Sequence, residues 1–445
     1  MALDPFASNA PLIVYVDFKS PYAFVAKDPT RALAAEIGIE IDWRPLVLDI
    51  PSYAGSAKLG PDGRVAESKR SASQWSGVRY AYKDARRYAA LAGLTLRGTT
   101  KIWDSALAGM GMDRAKAQGA RVLERYMDLV FERFWRRELD IEDPAVIEAV
   151  LVESGADVNG FAAEVRDGRA RFEARQREIF AAGIFGVPGY VLEGEYYFGR
   201  EHLPRIRWLL TGRKGPAPDI AYPRFGASGG DAGARAPRPT SPVRVCIDFK
   251  SPQAFLALEP TRALETRLGV AFDWLPLLVP ALSPPAPVRA DDDRGTRHRR
   301  VRAAYFERDL ARYAHARGLE LGDVHRSPDT ALASLGLLWM RSHAPSLTGD
   351  YMSRMFELVW RHGADPANAA VVEETLSALG GDSRRFRDDV AKHGAEPLAQ
   401  LQRELAAAGV YSVPTYVVDG EPFLGRQHLP MIEWLMASRR DARAP

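Results

Sequence analysis

Near the start of the chain LIVYVDF at residues 12–18 is an apolar and β-branched run that predicts a strand buried on both faces. Ser20-Pro21 follows at once. Serine at an N-cap offers an oxygen to an orphan amide, and proline at the next position lacks the donor that the first turn would leave unused, so a helix starts here. It runs to Gly38, where a glycine can end it. IEIDWRPLV at 39–47 predicts the next strand, making the opening β-α-β. From about 67 to 182 the apolar spacing turns helical, as in YAYKDARRYAALAGL, RVLERYMDLVFERFW and PAVIEAVLVESG, which predicts a helical insertion. Strands resume with VPGYVLEG and EYYFG, before a short helix from His202 to Leu210 with Pro204 in its first turn.

The same pattern occurs twice. Residues 12–48 and 243–279 align without gaps at 19 identities in 37 positions, and 179–210 and 405–436 at 17 in 32. Between these blocks DARRYAALAGL (84–94) answers DLARYAHARGL (309–319). This is a domain duplication with a period far longer than that of a solenoid. The expected division is an N-terminal domain over 1–213, a Pro/Gly/Ala-rich linker over 214–242 and a C-terminal domain over 243–445. Glycines 226, 229, 230 and 233 of that linker follow no strand and precede no helical pattern, so they read as linker rather than as a phosphate loop.

Composition narrows the chemistry. At 445 residues the chain is too long for one core, and 46% apolar with 26% charged residues is ordinary for a folded protein. Sixty basic residues face 57 acidic ones, a formal charge of +3, so nucleic acid is not the expected partner. The start lacks the basic and apolar regions of a secretory signal and no apolar stretch reaches a membrane-spanning length, which sets the expectation of a cytoplasmic protein with no membrane partner. Cys246 is the sole cysteine, so a disulfide within the chain, a CxxC pair and a cysteine-rich metal site are all ruled out. It aligns with Tyr15 inside a strand and reads as a small buried hydrophobe. ADDDRGTRHRRVR at 290–302 reads as a solvated loop, no HExxH pair or GxSxG elbow occurs, and no metal site is expected.

The order of strand, Ser-Pro helix start, helical insertion, Val-Pro before a hairpin and a last helix resembles a thioredoxin fold with an inserted helical domain, that of the DsbA-like superfamily. Within it VDFKSPYAFVA and IDFKSPQAFLA, with VPGY, VPTY, GREHLP and GRQHLP, are most similar to 2-hydroxychromene-2-carboxylate isomerases and kappa-class glutathione transferases. The resemblance implies an α/β chain of two tandem thioredoxin-like domains, each with a helical insertion. It implies a glutathione-dependent isomerase acting on an unsaturated aromatic carboxylate. A kappa-like transferase and a non-catalytic thioredoxin-like binding protein stand as alternatives, and the repeat suggests an intramolecular pseudo-dimer.

Residue by residue, Ser20 and Ser251 stand where redox relatives carry their first cysteine. Either they orient a thiolate brought by glutathione, or they only cap their helices. Val187-Pro188 and Val413-Pro414 match the family's cis-proline loop, which exposes backbone groups to a peptide-like ligand. Gly199-Arg200 and Gly425-Arg426 lie where relatives hold glutathione's glutamyl end. The usual Asp-Arg pair is missing from both, and the arginines are candidates to clamp a carboxylate. His202 and His428 are candidate proton donors or helix caps. Lys19 and Lys250 either hold negative charge on a substrate or face solvent. Tyr22, with Tyr53 and Trp103, is a candidate for an aromatic pocket, and Gln253 breaks the SPY pattern that Tyr22 keeps.

Overall fold

The computed structural model describes residues 4–60, 62, 64–223 and 241–437. They form two compact units, one of 4–218 with 286–302, the other of 219–223, 241–285 and 303–437. The glycines between 226 and 233 lie outside the described residues.

In the first unit β1 (Leu12–Val16), α1 (Pro21–Ile37) and β2 (Ile41–Pro45) form the expected β-α-β opening. A short α2 (Ile50–Ala54) and a two-stranded ribbon, β3 (Ala57–Leu59) with β4 (Val65–Ser68), come next. The helical insertion comprises α3 (Ala72–Leu91), α4 (Ala106–Lys116), α5 (Ala120–Arg136), α6 (Pro144–Ser154) and α7 (Phe161–Ala181). The hairpin β5 (Gly189–Leu192) and β6 (Glu195–Phe198) and helix α8 (Leu203–Leu210) close the unit. The sheet order is β2-β1-β5-β6, with β1 parallel to β2 and antiparallel to β5. All five residues of β1 are buried, which is why that strand reads as a continuous apolar run.

The second unit repeats this plan, but among the described residues it has no counterpart of α2 or the ribbon, and two helices take the place of α7. Its elements are β7 (Arg244–Ile247), α9 (Pro252–Leu268), β8 (Asp273–Pro276), α10 (Arg294–His315), α11 (Ala331–His343), α12 (Thr348–Arg361), α13 (Ala369–Ala378), α14 (Ser383–His393), α15 (Glu396–Ala407), β9 (Thr415–Val418), β10 (Glu421–Leu424) and α16 (Leu429–Ala437). Its sheet order, β10-β9-β7-β8, is that of the first read from the other edge. The first nine residues of α10 count with the first unit. The solvated loop expected at 290–302 is therefore corrected: from Arg294 onward it is helix, and His298 is buried. Charge dominates that segment and hid the burial of Gly295 and His298, one helical turn apart.

Each core is built on the same four rings. Phe18 packs on Phe131, Phe131 on Phe24 and Phe24 on Trp135 at centroid separations of 4.7, 5.8 and 6.1 Å, and Phe249 packs on Phe356, Phe356 on Phe255 and Phe255 on Trp360 at 5.1, 5.9 and 6.1 Å. One small residue per unit lets the inserted helices meet. The Tyr126 hydroxyl donates to Ala108 O at 2.9 Å across Gly111, and Tyr351 donates to Ala333 O at 3.0 Å across Gly336. A methyl group on either glycine would collide with that buried hydroxyl. Gly111→Ala and Gly336→Ala are each expected to cost about 1 to 3 kcal/mol, as over-packing does. Urea denaturation reads the effect, and unchanged midpoints would show that the tyrosines move aside freely.

Candidate active site

Helix α1 starts where its sequence requires. The backbone of Ser20 is extended (φ −90°, ψ 117°), its Oγ accepts from Ala23 N at 3.2 Å, Pro21 opens the first turn, and Gly38 ends the helix in the left-handed region at φ 71°. Ser251 does the same for α9, with Ala254 N at 3.2 Å and Gly269 at φ 61°. Both serines are buried, at 5% and 6% exposure, so capping is established for each. They differ in the proton they hold. Ser251 Oγ donates to Gln253 Oε1 at 3.3 Å, whereas the Ser20 hydroxyl has no acceptor among the described residues.

The sheet register brings the proline loop to these serines. Tyr15 pairs with Gly189, so Pro188 lies across from the end of β1; Cys246 pairs with Thr415, so Pro414 lies across from the end of β7. Both Val-Pro bonds are cis. Thr30 Oγ1 and Tyr190 Oη, 2.9 Å apart, tie α1 to β5, and Thr261 with Tyr416 repeats the link at 2.6 Å. Gly199 N and Gly425 N donate to the carbonyls of Pro188 and Pro414 at 2.9 and 2.8 Å.

Beneath the serines lies a carboxylate with no assignment from sequence. Asp17, 2% exposed, accepts from Lys19 N at 3.2 Å and from Leu48 N at 2.8 Å, and Lys19 Nζ lies 3.5 Å away. Asp248, fully buried, accepts from Lys250 N at 3.2 Å, Val279 N at 2.9 Å and Thr330 Oγ1 at 2.7 Å, with Lys250 Nζ at 2.9 Å. Lys19 is thus buried rather than solvent-facing, and its ammonium is already matched. The signal was present in the sequence: an aspartate repeated in both copies at the end of an apolar strand.

The Gly-Arg-x-His segments point inward. Arg426 does not offer its fork to a ligand, because Asp219 occupies it through Nε at 3.1 and 2.9 Å and Nη2 at 3.0 Å. Asp219 comes from the Pro/Gly/Ala-rich segment and had no counterpart to reveal it. Arg200, 1% exposed, lies 4.3 Å over the Tyr88 ring and faces Asp84. Burial pushes the Asp84 carboxyl up against the pull of Arg200 and Arg87 and the hydrogen bond from Tyr22. His202 makes no side-chain cap and packs on Tyr197, while His428 packs edge-on to Tyr222 and Phe423. Tyr22, Tyr53 and Trp103 do not form one pocket: Tyr22 turns to Asp84, Tyr53 stacks on His298 at 4.1 Å, and Trp103 packs edge-on to Phe134.

The first unit holds a cleft of about 850 Å³, bordered by Val47, Asp49, Asp104, Phe172, Phe180 and Gln176. Although burial alone would raise it, the Asp104 carboxyl is held below the usual range by Ala106 N, Arg169 and the charge of Lys19. Arg177, Arg294 and Arg297 line the cleft, with Arg294 3.4 Å over Phe180. Cys246 is fully buried and its thiol is pushed up to about 12, so it takes no part as a nucleophile. Among the described residues no helix is long and apolar enough to cross a membrane, and no group of three His, Cys, Asp or Glu could hold a metal ion.

Burial first, then repulsion from Arg302 and Arg294, pushes His298 from its ordinary 6.5 down to about 4. The unfolded chain therefore takes up a proton that the folded chain refuses. The stability tied to neutral His298 is complete above its unfolded value and is lost as pH falls through about 4, up to about 3 kcal/mol in all. Urea titrations at about pH 7 and about pH 4.5 should show this loss, and His298→Phe should flatten it. An NMR titration placing His298 at its ordinary value would contradict the burial argument.

A family model described as a DSBA-like thioredoxin domain matches residues 11–210 and again 243–437. The chain is 23% identical over 204 residues to the 2-hydroxychromene-2-carboxylate isomerase of Sphingobium xenophagum, covering 44% of this chain and 95% of that protein. It is 26% identical over 196 residues to the enzyme of the same name from Pseudomonas putida, covering 42% and 88%. Among solved structures, a 2-hydroxychromene-2-carboxylate isomerase is similar at 22% identity and a TM-score of 0.37, covering 45% of this chain and 98% of that one. A probable DsbA oxidoreductase from Streptomyces coelicolor is similar at 21% and 0.36, covering 50% and 98%. Matched over both repeats and carrying the fold twice, the chain belongs to the DSBA-like thioredoxin domain family.

Proposed function

We propose that the protein is a glutathione-dependent isomerase of the 2-hydroxychromene-2-carboxylate type, acting on an unsaturated aromatic carboxylate at the N-terminal copy. The observation that carries this reading is the Ser20 hydroxyl: it accepts from Ala23 N and keeps its own proton, at the start of α1 and beside the Val187-Pro188 loop. That arrangement fits a thiolate. The hydroxyl has a hydrogen to donate, and the helix N-terminus favours negative charge by about 0.3 to 1 kcal/mol. Glutathione, when bound, supplies a sulfur nucleophile whose reversible addition to a conjugated carbon allows the double bond to turn.

The chain's own residues have separate tasks. Ser20 holds the negative sulfur. The backbone of Val187 and Pro188 pairs with the peptide part of the thiol, next to Gly199. Asp17 fixes Lys19, whose charge reaches Asp104 at the cleft, and Arg177, Arg294 and Arg297 there meet the carboxylate of the substrate. Arg200, His202 and Tyr22 support this region from within the core and do not touch the ligand. The named isomerases among the relatives favour this reading over a transferase.

A second reading applies to the C-terminal copy. With the Ser251 proton given to Gln253 and the Arg426 fork filled by Asp219, that copy supports a non-catalytic thioredoxin-like role. Ser20→Ala should lower turnover of 2-hydroxychromene-2-carboxylate with glutathione about tenfold or more, with the circular dichroism spectrum unchanged. Ser251→Ala should lower it less. Equal effects would undo the assignment to one copy, and no calorimetric heat with millimolar glutathione would remove that thiol from the proposal.

A further inference from the structure

Helix α3 turns Trp75, Arg79, Tyr82 and Arg86 to one side, at the spacing of successive helical turns. With Arg70 and the segment from Gly98 to Ile102 they enclose a crevice of about 350 Å³. Its lining is one-signed. Arg70, Arg79, Arg86 and Lys101 contribute positive charge, and no Asp or Glu is among the lining residues. Lys101 is matched by Glu142 Oε2 at 2.5 Å. The three arginines have no carboxylate partner among the described residues. They lie instead over aromatic rings, Arg70 and Arg79 at 5.0 and 5.6 Å from Trp75 and Arg86 at 5.6 Å from Tyr82.

A fourth guanidinium crowds the same wall. Arg137 Nε donates to Gly98 O at 2.6 Å, and a Cβ placed on Gly98 would meet Arg86 Nη2 at 3.1 Å and Arg137 Nη2 at 3.9 Å. Two like charges converge on a glycine that leaves them room, an arrangement that an anion between them would stabilise. The Tyr82 and Thr99 hydroxyls are hydrogen-bonded to each other at 3.0 Å, and the one that accepts there keeps a proton as a neutral donor.

The duplication provides an internal control. The pairing of 84–94 with 309–319, extended without gaps, sets Ala304, Glu307 and Ala311 where the first copy has Arg79, Tyr82 and Arg86. The corresponding crevice of the second unit is lined by Glu307, Glu320, Asp323, His315 and His325. Asp84, Arg87 and Tyr88 persist meanwhile as Asp309, Arg312 and Tyr313. The fold therefore retains the inner face of this helix in both copies and does not require a cationic outer face.

We propose that this crevice is a binding site for a compact, multiply charged organic anion, its carboxylate or phosphate oxygens held by Arg70, Arg79 and Arg86. The site is separate from Ser20 and does not depend on the isomerase reading. Calorimetry on the full chain at low ionic strength, with citrate and with inorganic phosphate in separate arms, tests it. Saturable binding of either probe is expected, weakened by salt and weakened about tenfold or more by Arg79→Ala with Arg86→Ala. Binding of citrate alone assigns a carboxylate ligand, and binding of phosphate alone a phosphoryl one. Both replaced side chains are exposed on a helix that alanine favours, so folding should persist. The proposal fails if neither probe saturates at millimolar concentration. It fails equally if the double variant binds as the parent does, or if binding is lost instead on replacing Arg177 and Arg297 in the cleft.

Discussion

The geometry of each copy depends on a carboxylate buried at the end of its first strand. Taking a charge out of water costs several kcal/mol unless its lone pairs are met, and Asp17 and Asp248 meet theirs with backbone amides as well as with a lysine. One amide belongs to the turn that leads into the helix, the other to the chain just beyond the second strand. The aspartate thereby joins two segments that the sheet alone would leave separate, and it fixes the direction in which the serine enters its helix. Thr330 adds a further donor in the second copy, so the two carboxylates are held with unequal rigidity.

Around that anchor the copies agree in mechanics and differ in chemistry. The four stacked rings, the Thr-Tyr link between first helix and third sheet strand, and the glycine under a tyrosine hydroxyl occur in both. These contacts are close-packed and buried, where a change of one methyl group is felt. The differences lie outside those contacts: Tyr22, turned to Asp84, stands against Gln253, and the exposed Arg79 and Arg86 against two alanines.

How much of this was legible in the sequence follows from the range of each interaction. Ser-Pro and Gly38 mark the first helix through contacts within a few residues, so its limits were readable. That a Val-Pro loop precedes a hairpin in each copy was readable as well, whereas its register against β1 and β7 is set by pairing between strands far apart in the chain. The β3–β4 ribbon was not, because Val65–Ser68 is exposed throughout and shows no alternation. His298 was misread because its partners Tyr53, Phe180 and Phe185 lie far away along the chain. The arginines of the Gly-Arg-x-His segments looked like ligand clamps, since the carboxylates that face them, Asp84 and Asp219, come from distant helix and linker. Short motifs reveal which groups a chain carries, and only tertiary structure reveals which of them are already satisfied.

The crevices of opposite sign on α3 and α10 illustrate what fusing two copies permits. In an assembly of identical chains a new residue is installed in every subunit at once, so a change that helps one pocket must be tolerated in its twin. A tandem chain escapes that bond. Each half can drift under its own selection, and a duplicated protein becomes, on one shared fold, a pair of unequal specialists.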